Sequence, residues 1–397
     1  MTLSYLSAEH HQRRRNTLQN SLLKEGLETF LVFNPTNIFY LTGFAFIPTE
    51  RPLCAILHKG QLSFFVPQLE VEHVKHQVGR LENVFSYFDY PSDEIHPMVR
   101  LANILEKEVK INPRQFASEA AGSSPYWGYL GPKLEEIMKN SVKVLPNIVT
   151  DMRIIKEEEE IHLLRASSYF AARAHRQLQE LTKVGRNEIE VSIEASQAAS
   201  KEMQSSLGKD YHPRGWTMFP AMAGYRGQVG AHSAFPHATS QGLAFKKGDV
   251  LVTGATANVY GYYSELERTM FIQSPTSKQK EYFKVMLEAQ QAALDAVKPG
   301  KTCADIDRAS REVIRKRGLI HLTQHHTGHS LGLEGHERPF LDLGDKTVLQ
   351  TGMVFSCEPG IYEMGFGGFR PSDTFVVVGD GADLLTDYPR DLEALIL

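Results

Sequence analysis

The chain has 397 residues, of which 42% are hydrophobic and 23% are charged. This length predicts two domains at about 150 residues or more each, and the composition excludes disordered, collagen-like and small disulfide-stapled proteins. Lys and Arg number 43 against 47 Asp and Glu, so the net charge of −4 provides no basic footprint for nucleic acid.

The cysteines and the hydropathy pattern predict a cytoplasmic location. Cys54, Cys303 and Cys357 are far apart and show no CxxC spacing, so neither a disulfide framework nor a cysteine zinc site is expected. No window approaches the roughly 18 apolar residues of a membrane span, and the basic N-terminal stretch does not resemble a signal peptide. We therefore expect neither a membrane nor a nucleic acid as a partner.

Residues 1–150 have the pattern of an α/β domain. The expected elements are a helix, a strand, a hairpin and two further helices, at 7–26, 29–33, 52–66, 69–79 and 97–108. The turn signals Asn34-Pro35 and Lys59-Gly60 separate these elements.

Residues 151–397 mix helical and strand-like segments with Gly-rich turns, which predicts a second, larger domain of the α+β class. Long helices are expected at 152–175, 187–208, 277–298 and 302–318. Strands are expected at 250–253, 260–271, 354–358 and 373–378. The run of four glutamates at 157–160 is typical of a solvated helix face.

Two polar clusters precede the long helix at 277–298. In GAHSAFPH, His237 follows a proline on a loop, where a histidine serves either as a base or as a surface group. In SELERT, a strand would place Glu265 and Glu267 on one face because side chains alternate. These carboxylates repel each other unless a cation lies between them, or they form a solvated edge paired with Lys or Arg.

Two more polar clusters follow the predicted helices. HHTGHSLGLEGHERP places His329, His336 and Arg338 among glycines, which suits a polar site better than a hydrophobic core. FSCEPG places Glu358 at the end of an apolar strand, where burial is costly unless the carboxylate meets a cation or a hydrogen-bond donor.

The order of motifs PH, GD, GYYSELERT, GHSLGLEGHERP, GMVFSCEPG and GGFRPSD resembles that of the creatinase, prolidase and aminopeptidase P superfamily. The resemblance covers about residues 155–397 and extends to the N-terminal domain through NPTNIFYLTGF. It implies a pita-bread catalytic domain over 151–397, preceded by a creatinase-type α/β domain over 1–150.

Metallopeptidases of this superfamily hold two divalent ions with Asp, Asp, His, Glu and Glu in chain order. The resemblance maps these ligands onto Gly254, Glu265, His329, Glu358 and Ser372, so two are missing and one is a longer carboxylate. A metal pair should lose most of its binding energy, and we expect no resident metal. The alternative is one weakly bound Mn²⁺ or Co²⁺ held by Glu265, His329 and Glu358.

The metal-free member of the superfamily, creatinase, is locally similar and implies roles for the polar residues. His237 would be the base that activates water, and two arginines would bind a substrate carboxylate. The implied catalytic residues are His237, His329, His336 and Glu358, and the implied substrate-binding residues are Glu265, Glu267, Arg51 and Arg338. Arg51 would reach the site of a neighbouring subunit, which predicts a homodimer.

Three functions are compatible with these residues. The first is a metal-independent or weakly metal-dependent hydrolase of a C–N bond in a small cationic or zwitterionic substrate, with a histidine activating water. The second is a Mn- or Co-dependent Xaa-Pro dipeptidase or aminopeptidase. The third is a catalytically inactive pita-bread binding protein, which the missing ligands favour and the retained polar residues oppose.

Overall fold

The structure is a computed structural model that describes residues 6–88, 95–122, 129, 131–139, 142–209, 211–214 and 217–397. The chain divides into two compact units, one spanning Leu6–Arg153 and the other Ile154–Leu397. Each unit has its own buried apolar core. Within the described ranges, no helix combines the length and apolar character needed to cross a membrane.

The first unit contains one mixed sheet and short helices, which confirms the predicted α/β domain. Its helices are α1 (Ala8–Lys24), α2 (Pro35–Thr42), α3 (Val71–Gln77), α4 (Pro97–Ile104), α5 (Leu134–Met138) and α6 (Ile148–Met152). Its strands are β1 (Thr29–Val32), β2 (Cys54–His58), β3 (Gln61–Pro67), β4 (Val84–Tyr87), β5 (Phe116–Ser118) and β6 (Lys143–Val144). They pair in the order β4-β3-β2-β1-β5-β6.

Local sequence explains where these elements begin and turn. The Asn34 side chain accepts hydrogen bonds from the backbone N–H groups of Thr36 and Asn37, which caps α2. The antiparallel pair β2 and β3 confirms the predicted hairpin. Lys59 and Gly60 both have positive φ, at 50° and 79°, as the two central residues of a type I′ hairpin turn require.

The second unit combines four long helices with antiparallel sheets, in agreement with the predicted α+β class. Its helices are α7 (Glu158–Leu181), α8 (Glu188–Leu207), α9 (Ser277–Ala296) and α10 (Cys303–Lys316). Its strands are β7 (Ala221–Gly224), β8 (Val250–Val252), β9 (Gly254–Val259), β10 (Tyr262–Tyr263), β11 (Thr269–Phe271), β12 (Gly328–Ser330), β13 (Glu337–Leu341), β14 (Val354–Cys357), β15 (Ile361–Glu363), β16 (Gly367–Phe369), β17 (Asp373–Val378) and β18 (Gly381–Leu384).

A five-stranded antiparallel sheet, in the order β13-β12-β14-β17-β18, organises this unit. Helices α9 and α10 share an apolar core with it, through residues such as Leu294, Ile306, Phe355 and Phe375. Because side chains alternate along a strand, the core residue Phe355 directs Ser356 to the opposite face of β14. That opposite face carries the polar residues of the site.

The helix predicted at 152–175 begins later, at Glu158. The backbone N–H of Lys156 donates to the carbonyl of Gly352 at 2.9 Å, so the preceding segment pairs with another strand-like segment. The Glu160 carboxylate accepts the backbone N–H of Glu157 at 2.8 Å, which caps the helix. The glutamate run at 157–160, predicted as a solvated face, is solvated only in part, because Glu160 is buried and accepts a hydrogen bond from Tyr262.

The strand predicted at 260–271 is interrupted. Tyr260 and Gly261 form a turn with positive φ values of 52° and 88°. After β10, residues 264–268 pair with their neighbours only through isolated bridges, one of which joins Glu267 to Ser372. This irregular segment nevertheless keeps the predicted alternation, because Glu265 and Glu267 line one cavity while Arg268 is buried against Asp373 at 2.8 Å.

A buried histidine on α7 makes the stability of this unit depend on pH. His175 is fully buried, and its Nε2 lies 2.7 Å from Thr253 Oγ1. Burial, aided by the charge of Arg268, lowers the pKa of His175 to about 3. An unfolded histidine has a pKa of about 6.5. Protonation therefore favours the unfolded state, and the stability from neutral His175 is complete above pH 6.5 and lost as pH falls towards 3.

We expect His175→Gln to reduce the pH dependence of unfolding. Between pH 6.5 and 4, the free energy of unfolding of the variant should fall less steeply with decreasing pH than that of the wild type. The two slopes should differ by about 1.4 kcal/mol per pH unit. Urea unfolding followed by circular dichroism at several pH values measures this slope. The control is His162→Gln, which replaces an exposed histidine of the same helix. Equal slopes for His175→Gln and the wild type would contradict the prediction.

Candidate functional site

His329 and Glu358 lie on neighbouring strands of the five-stranded sheet. His329 is fully buried on β12, and Glu358 directly follows β14. A Cβ atom at Gly328 would lie 2.1 Å from the carbonyl oxygen of Ser356, so only glycine permits the two strands to approach this closely. The close approach lets the His329 backbone N–H donate to Ser356 Oγ at 3.1 Å.

The His329 ring faces two carboxylates. Its Nδ1 lies 3.1 Å from the Ser330 carbonyl oxygen and donates to it. Its Nε2 lies 3.0 Å from Glu358 Oε1 and 3.5 Å from Glu265 Oε2. Nε2 is buried and has no hydrogen bond of regular geometry within the described ranges. Two buried carboxylates beside one ring nitrogen require a positive charge between them, either a proton on Nε2 or a metal ion.

The same contacts determine the pKa values of the three groups. Burial opposes the charged form of His329, but its contacts with Glu265 and Glu358 raise the pKa of His329 to about 11. Burial and the negative charge of Glu265 raise the pKa of Glu358 to about 7. Burial alone would also raise the pKa of Glu265, but the contacts with His329 and Ser372 hold it below its usual range.

His336 stacks on His329, with ring centroids 3.7 Å apart and an interplanar angle of 20°. The His336 side chain is exposed on one side, and its partial desolvation together with the charge of His329 lowers the pKa of His336 to about 4. His336 is therefore neutral near pH 7 and can accept a proton, donate a hydrogen bond or ligate a metal. Its ring nitrogen lies close enough to Glu265 and His329 for the three to hold one ion.

Glu267 is paired with two arginines. Its Oε1 accepts from Arg226 Nη2 at 2.5 Å and from Arg370 Nη2 at 2.9 Å, and its Oε2 accepts from Arg370 Nε. The Arg370 guanidinium thus binds Glu267 through two parallel hydrogen bonds, the strongest arrangement for this pair of groups. Of the two arrangements considered for Glu265 and Glu267, pairing with arginine is therefore observed for Glu267, but this carboxylate is buried and does not lie on a solvated edge.

The two sequence positions without a metal ligand are occupied differently. A Cβ atom at Gly254 would lie 3.5 Å from both the Arg226 guanidinium and Glu267 Oε1. The Ser372 hydroxyl donates to Glu265 Oε1 at 2.7 Å, so it orients this carboxylate. A donor set for one divalent ion is therefore present around Glu265, whereas the residues at 254 and 372 do not fit a metal pair.

A cavity of about 560 Å³ adjoins these side chains, and its wall includes Arg226, Gly254, Tyr263, Glu265, Glu267 and His336. The cavity is large enough for a small organic substrate. The charged atoms on its wall are those of the carboxylates and the arginine described above. The substrate would therefore contact both signs of charge.

The structure places the remaining predicted residues in different surroundings. His237 is exposed on its loop, and the preceding Pro236 carbonyl accepts a hydrogen bond from Arg370 Nη1 at 3.2 Å. Arg338 is exposed on the edge strand β13. Arg51 belongs to the first unit, where it pairs with Glu50 at 2.9 Å. The roles assigned to these three residues stay predictions.

Sequence reasoning missed the functional environment of Arg226 and Arg370. Arg370 was visible in the motif GGFRPSD, but its partner Glu267 lies 103 residues away. Arg226 lies in no recognised motif. Its one local signal is the following glycine, because an Arg-Gly pair can form a tight turn, and Arg226 indeed has a φ of 50°.

The fold and the site together define a pita-bread hydrolase. The sequence pattern described as metallopeptidase family M24 matches residues 162–379, and that of the creatinase/prolidase N-terminal domain matches residues 14–155. The chain belongs to metallopeptidase family M24. This membership confirms the predicted superfamily and the prediction of a hydrolase that acts on C–N bonds.

Individual relatives match almost the whole chain. An Xaa-Pro dipeptidase of Pyrococcus horikoshii is 30% identical over 373 residues, which cover 93% of this chain and 95% of the relative. The solved structure of an Xaa-Pro dipeptidase from Bacillus anthracis has a TM-score of 0.79 at 25% identity, covering 98% of this chain and 100% of its own. The solved structure of a prolidase from Pyrococcus horikoshii has a TM-score of 0.78 at 27% identity. The match covers 96% of this chain and 99% of the prolidase chain.

Two predictions are wrong in the light of these similarities. The first function considered, a metal-independent or weakly metal-dependent, creatinase-like hydrolase of a small cationic or zwitterionic substrate, is overturned. Relatives over nearly the full length are named Xaa-Pro dipeptidases, which favours the second function. The expectation of no resident metal is also overturned, because the family is one of metallopeptidases. Two groups of described side chains can hold an ion, namely Glu265 with His329 and His336, and Glu265 with Glu267 and Glu358.

Replacing Arg370 should strongly destabilise the second unit. Arg370→Met leaves the buried Glu267 carboxylate with only the half-exposed Arg226, and loss of one partner of a buried pair costs about 3–5 kcal/mol. Chemical denaturation measures the loss, and the double variant Arg370→Met/Glu267→Leu should recover much of it.

The matched control is Arg165→Met, because Arg165 forms an exposed pair with Asp383. That substitution should cost about 1 kcal/mol or less. Equal small losses for Arg370→Met and Arg165→Met would show that the buried pair does not stabilise the site.

Proposed function

We propose that the protein is a metal-dependent peptidase that hydrolyses small peptides of the Xaa-Pro class, with one divalent ion bound by Glu265, His329 and Glu358. The observation that carries this proposal is the buried Nε2 of His329. Its ring is oriented by the hydrogen bond from Nδ1 to Ser330, and Nε2 faces two carboxylates. This is how proteins orient a histidine that ligates a metal.

The relatives support the substrate class. Those that match over more than nine-tenths of this chain include proteins named Xaa-Pro dipeptidase from archaea and lactobacilli. A dipeptide would fit the cavity of about 560 Å³ beside the carboxylates. The Arg226 guanidinium on the cavity wall can balance the negative end of such a substrate.

In this proposal, different side chains act at different steps of the hydrolysis. A bound Mn²⁺ or Co²⁺ would supply Lewis-acid polarisation of the scissile carbonyl. His237 accepts a proton from the attacking water and returns it to the leaving nitrogen as the C–N bond breaks. His336, neutral near pH 7, donates a hydrogen bond to the carbonyl oxygen as negative charge develops there. Ser372 keeps Glu265 oriented through its hydroxyl.

Removing a proposed ligand should remove the ion and the activity together. We expect His329→Ala and Glu358→Gln to reduce bound Mn²⁺ from about one per chain to nearly none, and to lower kcat for Ala-Pro by about 10²-fold or more. Elemental analysis and a proline-release assay measure the two quantities. The exposed His321→Ala is the control.

The same assay tests the proposal as a whole. The wild-type protein should hydrolyse Ala-Pro faster than Ala-Ala, and a chelator should abolish this activity. Full activity in the presence of a chelator, or no hydrolysis of either peptide by Mn²⁺-loaded protein, would refute the proposed function. His237→Ala should lower kcat with little change in the Mn²⁺ content, because His237 is not a proposed ligand.

The location and the assembly also belong to this proposal. A reducing, cytoplasmic location is supported by Cys54, Cys303 and Cys357, which are buried and unpaired with one another. A homodimer remains part of the proposal on the strength of the superfamily resemblance and the frequency of two-fold assemblies.

A further inference from the structure

Two guanidinium groups surround Glu267 beside the proposed ion site. We infer that Arg226 takes the place of the second metal ion of the family and offers its N–H groups to an anionic oxygen of the substrate. The part of this inference that concerns the substrate rests on the proposed function. The part that concerns the second metal ion rests on the contacts of Arg226 and is tested without a substrate.

The space of the missing ligand is occupied by Arg226. The superfamily resemblance puts the first metal-ligand aspartate at Gly254. A Cβ atom at this glycine would lie 3.5 Å from Cζ and from Nη2 of Arg226. A carboxylate on that Cβ would lie within reach of the guanidinium for an ion pair. The absence of a side chain at 254 is therefore coupled to the presence of Arg226 beside this position.

The backbone holds Arg226 in this position. Arg226 has a φ of 50°, an uncommon conformation for a residue with a side chain, and Gly227 follows with a φ of 77°. The Gln228 N–H closes the turn onto the Tyr225 carbonyl at 2.8 Å. The buried Glu188 carboxylate accepts the Gly227 N–H at 2.8 Å, which fixes the turn to the start of α8. These contacts fix the backbone from which the Arg226 side chain extends.

The charges of the two arginines disfavour a second metal ion. Glu265, Glu267 and Glu358 supply three negative charges, while Arg226 and Arg370 supply two positive charges. One dication more than neutralises the remaining negative charge. A second dication would add further to this excess of positive charge, and both oxygens of Glu267 already accept hydrogen bonds from arginine.

Arg226 remains accessible to a ligand. Its side chain is 52% exposed and lines the cavity, whereas Arg370 is buried. Within the described ranges, both hydrogen bonds of the Arg226 side chain use Nη2, which leaves Nε–H and Nη1–H for a ligand. A guanidinium only donates hydrogen bonds, so it cannot ligate water as a metal ion does. Its chemistry is the recognition of an oxygen that carries negative charge.

Ion counting tests the replacement of the second metal. With Mn²⁺ as the probe, elemental analysis should find about one ion per chain in the wild type. The variant Gly254→Asp/Ser372→Glu should still bind one ion, because Arg226 pairs with the restored aspartate. Adding Arg226→Gln should raise the count to two. Two ions in the wild type or in the double variant, or one ion in a folded triple variant, would overturn the inference.

Ligand binding tests the same arginine without restored ligands. Isothermal titration of the protein as purified should show that L-proline binds more tightly than L-prolinamide, which lacks the carboxylate. Arg226→Gln should weaken L-proline binding by about tenfold or more and remove this preference, because a charge-assisted hydrogen-bonding pair is lost. Arg226→Lys should retain part of the preference for L-proline over L-prolinamide. The control is Arg173→Gln, because Arg173 pairs with Glu202 on the helices α7 and α8.

The two tests separate the possible failures. An unchanged preference for L-proline in Arg226→Gln would show that another group binds the carboxylate and would overturn the binding role. Arg226→Gln changes a half-exposed side chain, so folding of this variant can be verified by its melting temperature. A wild-type protein that hydrolyses no Xaa-Pro peptide but passes both tests would refute the proposed function and support the role of Arg226.

Discussion

The need to neutralise buried carboxylates governs the architecture of this site. Glu265, Glu267 and Glu358 lie close enough together for their oxygens to share one ion; Glu267 and Glu358 are buried and Glu265 is partly buried. An isolated buried carboxylate is too costly to retain, so each must have a cation or several donors. The protein meets this requirement in two ways. Glu267 binds guanidinium groups, whereas Glu265 and Glu358 face His329 and the proposed ion site.

The fold places positively charged groups beside these carboxylates by joining segments that are distant in the sequence. The bridge between Glu267 and Ser372 aligns the SELERT segment with the start of β17, so that Arg370 reaches Glu267 from the neighbouring chain segment. On the other side of that segment, Arg268 is buried against Asp373, which fixes the alternation of side chains. A shift of one residue would exchange the environments of Glu267 and Arg268, and would bury a carboxylate against the carbonyl groups that Arg268 now contacts.

Sequence patterns predicted the parts that depend on short-range order. The α/β and α+β classes, the hairpin at β2 and β3, and the proximity of His329 and Glu358 follow from periodicity, turn residues and motif order. Arg226 could not be predicted in this way. Its position depends on a turn that the distant Glu188 holds, and on empty space at Gly254. Likewise, Glu160 lies in a charged run but is buried because Tyr262 supplies a donor that no local pattern reveals.

The changes from the ligand pattern of the family are physically coupled. Replacing two carboxylate ligands by Gly254 and Ser372 removes two negative charges, which is the charge that one dication would have balanced. The Arg226 guanidinium lies beside Gly254 and also neutralises Glu267. Ser372 retains a polar contact with Glu265, so this carboxylate keeps its orientation towards His329. A random loss of ligands would not restore packing, charge and orientation together. This coupling is the basis of our proposal that the Arg226 guanidinium and one metal ion act where the family uses two metal ions.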